Sequence, residues 1–102
     1  MFHALQLEHA DNVAVLVTDV AKQTEVTVQT PGAFMTISTL DAIPFGHKIA
    51  LQQIPKGGIV TKYGRPIGRA TSDIPKGGLV GAHNIEGLRG RGDLAKERGA
   101  SL

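Results

Sequence analysis

With 102 residues, 41% of them hydrophobic but only 4% aromatic, and no cysteine, the chain is sized for one domain with a core of Val, Ile, Leu and Ala, and it has neither disulfides nor thiolate ligands. The net charge of +2 is local: Arg89, Arg91, Lys96 and Arg98 sit near the C-terminus, while seven basic side chains face seven acidic ones over residues 1–86, a neutral body that argues against nucleic-acid binding. No stretch approaches the roughly 20 apolar residues of a membrane span, and Met1–Glu8 lacks the basic and apolar regions of a signal peptide, so a cytoplasmic protein is expected.

In chain order, the first ten residues, with His3 and His9, carry no strand pattern and are expected to fray. Asp11-Asn12 and Pro31-Gly32 are turn signals. Between them, Val13–Val17 is a fully apolar strand candidate and Glu25–Gln29 alternates; Ala33–Thr39 alternates again, with Phe34, Thr36 and Ser38 on one side and Met35 and Ile37 on the other. The first forty residues read as a β-meander.

The middle of the chain repeats itself. Ile54-Pro55-Lys56-Gly57-Gly58-Ile59-Val60 recurs as Ile74-Pro75-Lys76-Gly77-Gly78-Leu79-Val80, and a looser copy stands at Ile43-Pro44-Phe45-Gly46-His47-Lys48-Ile49. In each, a Pro fixes φ, a Gly permits positive φ, and apolar residues restart a strand. The copies are spaced too irregularly for a solenoid and suit a bent β-structure. Asp41 and Asp73 precede two copies, where each can accept a hydrogen bond from the turn backbone. A domain over residues 1–86 is expected, followed by a flexible, basic, Gly-rich tail over residues 87–102.

Titratable side chains follow each turn: Gly46-His47-Lys48, then Lys62-Tyr63-Gly64-Arg65, then His83-Asn84. This placement predicts that they converge at one end of the fold. His47 and His83 are either acid/base groups, metal ligands or ordinary turn histidines. Lys62 and Tyr63 are expected on opposite faces of a strand end, and Arg65 and Arg69 have the geometry to clamp a carboxylate. The Gly pairs lack phosphate-loop spacing and read as turn glycines.

Taken together, these segments resemble the SAF-like domain of the altronate/galactarate dehydratase family. The resemblance rests on Gly46-His47-Lys48-Ile49-Ala50-Leu51, on Ile54, Gly57, Val60, Lys62-Tyr63-Gly64, Ile67-Gly68 and Ala70, and on Asp73-Ile74, Gly77, Val80 and His83-Asn84; Asp11-Asn12-Val13-Ala14-Val15 is similar to the family's opening strand. One position departs: Gly81 stands where the family pattern has the first histidine of H-x-H-N.

The resemblance implies an all-β fold, a SAF-type β-clip of short curved strands and Gly/Pro turns. It implies a metal-dependent hydro-lyase component that is inactive without a large catalytic subunit and acts on a sugar acid, or the related small subunit of a sulfolactate sulfo-lyase. A non-catalytic sugar-acid binding module is the alternative, and self-association is compatible with either. His47, Lys48, Lys62 and Tyr63 are the implied catalytic residues, and Arg65, His83 and Asn84 the implied substrate contacts. The implied cofactor is a divalent metal, iron(II), touched by His47 and His83 but held mainly by the partner subunit.

Overall fold

The computed structural model describes residues 1–88, and these form nine strands in two sheets. The strands are β1 (Ala4–Leu5), β2 (Val13–Leu16), β3 (Glu25–Thr30), β4 (Ala33–Ser38), β5 (Lys48–Ala50), β6 (Ile59–Lys62), β7 (Arg65–Ala70), β8 (Leu79–Val80) and β9 (Ile85–Glu86). The larger sheet runs β4-β3-β1-β2-β5-β8 and the smaller β6-β7-β9. The all-β expectation holds. The tail expected over residues 87–102 falls, from residue 89 on, outside the described residues.

The core has two parts, and β2 and β5 are the wall between them. Ala14, Leu16 and Ile49 face a cluster with Val26, Val28, Ile37 and Ile43. Val13 and Ala50 face the other way, onto Ile54, Val60, Ala70, Ile74 and Val80. A strand buried on both faces has no polar side to show, which is why Val13–Leu16 reads as an unbroken apolar run.

Two expectations for the N-terminal part need correction. The first residues are not frayed: β1 lies inside the larger sheet, antiparallel to β2 and parallel to β3, and His3 Nδ1 accepts the Thr27 N–H at 2.9 Å. The first forty residues are therefore not a meander, because β1 separates β2 from β3.

The three repeated turns are one structure used three times. His47, Gly58 and Gly78 each donate their N–H to the carbonyl of the Pro three residues earlier, at 3.1, 2.7 and 2.9 Å. The residue before each donor is a glycine with φ near +88° (Gly46, 88°; Gly57, 86°; Gly77, 89°), the conformation that the third position of a type II turn demands. Each turn then exchanges a pair of hydrogen bonds with one strand residue: Gly46 and His47 with Leu16, Gly57 and Gly58 with Ala70, Gly77 and Gly78 with Ala50.

The turn aspartates act across the fold instead of within their own copies. Asp73 Oδ1 accepts the Lys56 N–H of the second turn at 2.8 Å, and Asp41 Oδ2 accepts the Leu79 N–H after the third at 2.9 Å. The first turn is held by Asp19, whose Oδ1 accepts the Phe45 N–H at 2.7 Å. Bridges Val20–Ile43 and Ile54–Ile74 bring Asp19 and Asp73 alongside the first and second turns, and the bond from the Leu40 N–H to the Gly77 carbonyl brings Asp41 alongside the third.

Candidate functional site

The first and third turns bring the two imidazoles together. His47 ends the first turn, and His83 lies in the loop between β8 and β9. Both flank Gly81: a Cβ built there would meet His47 Cδ2 at 3.4 Å and His83 Nδ1 at 3.6 Å. These are ordinary contacts and Gly81 is not among the positive-φ glycines, so neither backbone nor space requires glycine at this position. Its effect is to leave a gap between the rings.

Asn84 shapes the loop that carries His83. It is buried, its Oδ1 accepts the Gly81 N–H at 2.9 Å, and its Nδ2 donates to the Leu79 carbonyl at 2.8 Å. The amide expected to touch substrate thus grips its own backbone and fixes the position of His83.

Lys48 opens β5 on the face of the second core cluster, opposite Val15 on one side and Val80 on the other. Burial pushes its ammonium pKa below that of a solvated lysine, and repulsion from Lys62 adds to the shift. Among the described residues neither ammonium is paired with a carboxylate. Two cations held near one another without a counter-ion form a place for an anion.

Lys62 and Tyr63 are not on opposite faces, as the strand reading expected. Tyr63-Gly64 forms the two-residue turn between β6 and β7, with φ of 56° and 77°, and Lys62 Nζ lies 4.9 Å from the centre of the Tyr63 ring. Positive φ at both turn positions matches the right-handed twist of a hairpin, yet a tyrosine there carries a steric penalty. Asp11 offsets it: its buried carboxylate accepts the N–H of Tyr63 at 3.0 Å, of Gly64 at 2.8 Å and of Glu8 at 3.2 Å. Beside it, Asn12 Oδ1 accepts the Thr61 N–H and its Nδ2 donates to the Ile59 carbonyl. Sequence reading placed Asp11-Asn12 at a local turn; their role in seating the Lys62–Gly64 hairpin spans some fifty residues and left no local signal.

Arg65 is exposed at the foot of that hairpin, opposite Lys62. Arg69 is elsewhere, lining a hollow of about 360 Å³ with Lys56, Gly57, Ala70, Thr71 and Glu86. The carboxylate clamp expected of the two arginines together is therefore not formed as a pair. A second hollow, of about 590 Å³, is lined by Met1, Phe2, His3, Val17 and Thr18. Neither hollow includes His47, His83 or Lys48, and both of these histidines are exposed, so they stand on an open rim.

With this geometry in place, comparison with known proteins is decisive for the family. Residues 2–88 match the family described as the altronate/galactarate dehydratase SAF domain. The chain belongs to that family. This SAF domain is 44% identical over 80 residues to altronate dehydratase of Escherichia coli (strain K12), covering 78% of the chain but 15% of that protein. To galactarate dehydratase (L-threo-forming) of the same organism it is 33% identical over 76 residues, 74% of the chain and 14% of that protein. It is 41% identical over 49 residues to (2R)-sulfolactate sulfo-lyase subunit alpha of Chromohalobacter salexigens, covering 48% of the chain and 52% of that subunit. The SAF domain thus spans about a sixth of the dehydratases it matches.

The donors present do not make a metal site by themselves. Among the described residues no three His, Asp or Glu side chains gather around one point, and Asn84 is engaged with backbone. His47 and His83 are two donors where a closed site takes four, or three with an open position. Among the described residues, no helix is long and apolar enough to cross a membrane.

Proposed function

We propose that this SAF domain is the small component of a metal-dependent carbon–oxygen lyase of the altronate/galactarate dehydratase type, acting in the elimination of water from a sugar acid. The observation that carries the reading is the pair of imidazoles flanking Gly81, in a chain similar over most of its length to enzymes named for that reaction. Lys48 and Lys62 attract the substrate carboxylate; the lowered pKa of Lys48 rises again when an anion settles beside it. His47, exposed on the rim, moves a proton to or from the reacting carbons or the departing hydroxyl, a task that contributes roughly 10²–10⁴-fold. His83, on the loop braced by Asn84, orients the acid, and Tyr63 and Arg65 close the cationic side. Iron(II) or another divalent metal is held mainly by the large catalytic part. The open rim is a half-site that such a partner completes.

A second reading has its own support. The chain covers 52% and 70% of two sulfolactate sulfo-lyase alpha subunits, proteins much shorter than the dehydratases, so a small subunit of a sulfite-eliminating enzyme is the alternative.

The test is an elimination assay on altronate, galactarate and sulfolactate with ferrous iron, run on the chain alone and with a large catalytic subunit. Turnover only in the mixture, lost in His47→Ala with folding intact, is the expected result, and the active substrate names the leaving group. Full turnover by His47→Ala would remove that residue from the chemistry. Binding of a sugar acid without turnover in any mixture would make the chain a non-catalytic binding module.

A further inference from the structure

Of the four sheet edges among the described residues, three are closed or very short. Asn12 lies along β6, bonding to the Ile59 carbonyl and the Thr61 N–H through its side chain. Asp41 and Asn84 do the same for β8, taking the Leu79 N–H and the Leu79 carbonyl. Strand β9 has two residues. Polar side chains that mimic a neighbouring strand are one way to protect an edge.

Strand β4 has no such cover. It runs six residues, Ala33-Phe34-Met35-Thr36-Ile37-Ser38, without a charge, a proline or a register shift against β3. Thr39 donates to Thr24 in the ladder direction, so by alternation Met35 and Ile37 bond to β3 while the N–H and C=O groups of Phe34 and Thr36 point outward. Among the described residues those groups have no partner. The far end is different: the Ser38 carbonyl faces Gly77, and Leu40 donates to the Gly77 carbonyl at 2.9 Å. The open stretch is therefore Ala33–Ile37, and its Phe34 is 61% exposed.

We infer that β4 is the contact strand of a homodimer, in which two copies pair edge to edge, antiparallel, around a two-fold axis at Met35. This register makes Phe34 exchange both backbone hydrogen bonds with Thr36 of the second copy, and Thr36 with its Phe34, using every outward group of the open stretch. It sets Met35 against its own copy, extending the first core cluster, against which Met35 already packs. An uncharged strand meets itself without like-charge repulsion, and an isologous contact of this kind closes after two copies. The inference is independent of the proposed enzymatic role.

The test is sedimentation of the chain across a concentration series, with amide hydrogen exchange of Phe34 and Thr36 read at each end of it. A dimer is expected, with the Phe34 and Thr36 amides slowed at least tenfold at high concentration and unprotected on dilution. Thr36→Pro deletes only an outward N–H, so it is expected to stay folded and become monomeric. A wild-type monomer at every concentration overturns the inference. So does a dimer in which those two amides remain unprotected, or a folded Thr36→Pro that still dimerises. If Thr36→Pro unfolds, the wild-type exchange pattern decides alone.

Discussion

Asp11 and Tyr63, fifty-two positions apart, are joined by a hydrogen bond of 3.0 Å from the tyrosine N–H to the buried carboxylate. Through it and its companion bond from Gly64, the segment before β2 holds the hairpin that carries the candidate site residues Lys62, Tyr63 and Arg65. Removing the carboxylate in Asp11→Ala leaves three backbone donors without their acceptor and is expected to cost about 3 kcal/mol, each charge-assisted bond being worth about 1.5–3 kcal/mol before relaxation. Asp11→Asn keeps one acceptor and should fall between. Urea unfolding of the three proteins checks the order.

Tyr63 itself offers a sign reversal. Both Tyr63→Gly and Tyr63→Ala lose the ring and its contact with Lys62, but only glycine relieves the positive φ. Tyr63→Gly is expected to be more stable than Tyr63→Ala by about 1 kcal/mol, although glycine inside a strand normally costs about 0.5–1 kcal/mol against alanine. Denaturation midpoints of the pair measure the difference.

The repeated turns supply a matched comparison. Gly57→Ala places its methyl in open space and meets only the unfavourable φ of +86°, a cost of about 1–2 kcal/mol. Gly77→Ala adds a direct clash with the Ser38 carbonyl at a similar φ, so it should cost several kcal/mol more or prevent folding. Thermal unfolding that found the two equal would show that the third turn yields freely.

Lys48 gives stability a pH dependence of defined sign. Its pKa is lowered in the fold, by burial first and Lys62 second, so between that value and the value of about 10.4 of a solvated lysine the unfolded chain binds more protons. Stability attributable to this residue is therefore present above the unfolded value, and it is lost as pH falls through the folded one. Stability should climb with pH across that window in the wild type, and Lys48→Met should lack that part of the climb. Parallel pH profiles for the two proteins would remove Lys48 as its source.

What could be read in advance depended on how local each cause is. The Pro-Gly turns were legible because φ is set by the residues themselves, and titratable residues recurring after those turns pointed to convergence, which the fold realises for His47 and His83 on either side of Gly81. The place of β1 was not legible: two residues carry no period, and their pairing with Val28 and Gln29 is decided by chain far downstream. The same holds for Asp41 and Asp73, correctly marked as turn acceptors but bonded to turns other than their own. The turn position of Tyr63 was missed because a tyrosine at positive φ runs against propensity and stands only with Asp11 beneath it.

The position of β1 also orders events in time. In the larger sheet it is the one strand that touches both the β3–β4 hairpin and the β2-β5-β8 group, so neither half can be zipped to the other until a two-residue segment finds partners on both sides. Such a seam raises contact order and delays the late stage of folding. It is also where the native sheet should first come apart, as a local opening that separates the two halves while each keeps its own ladder.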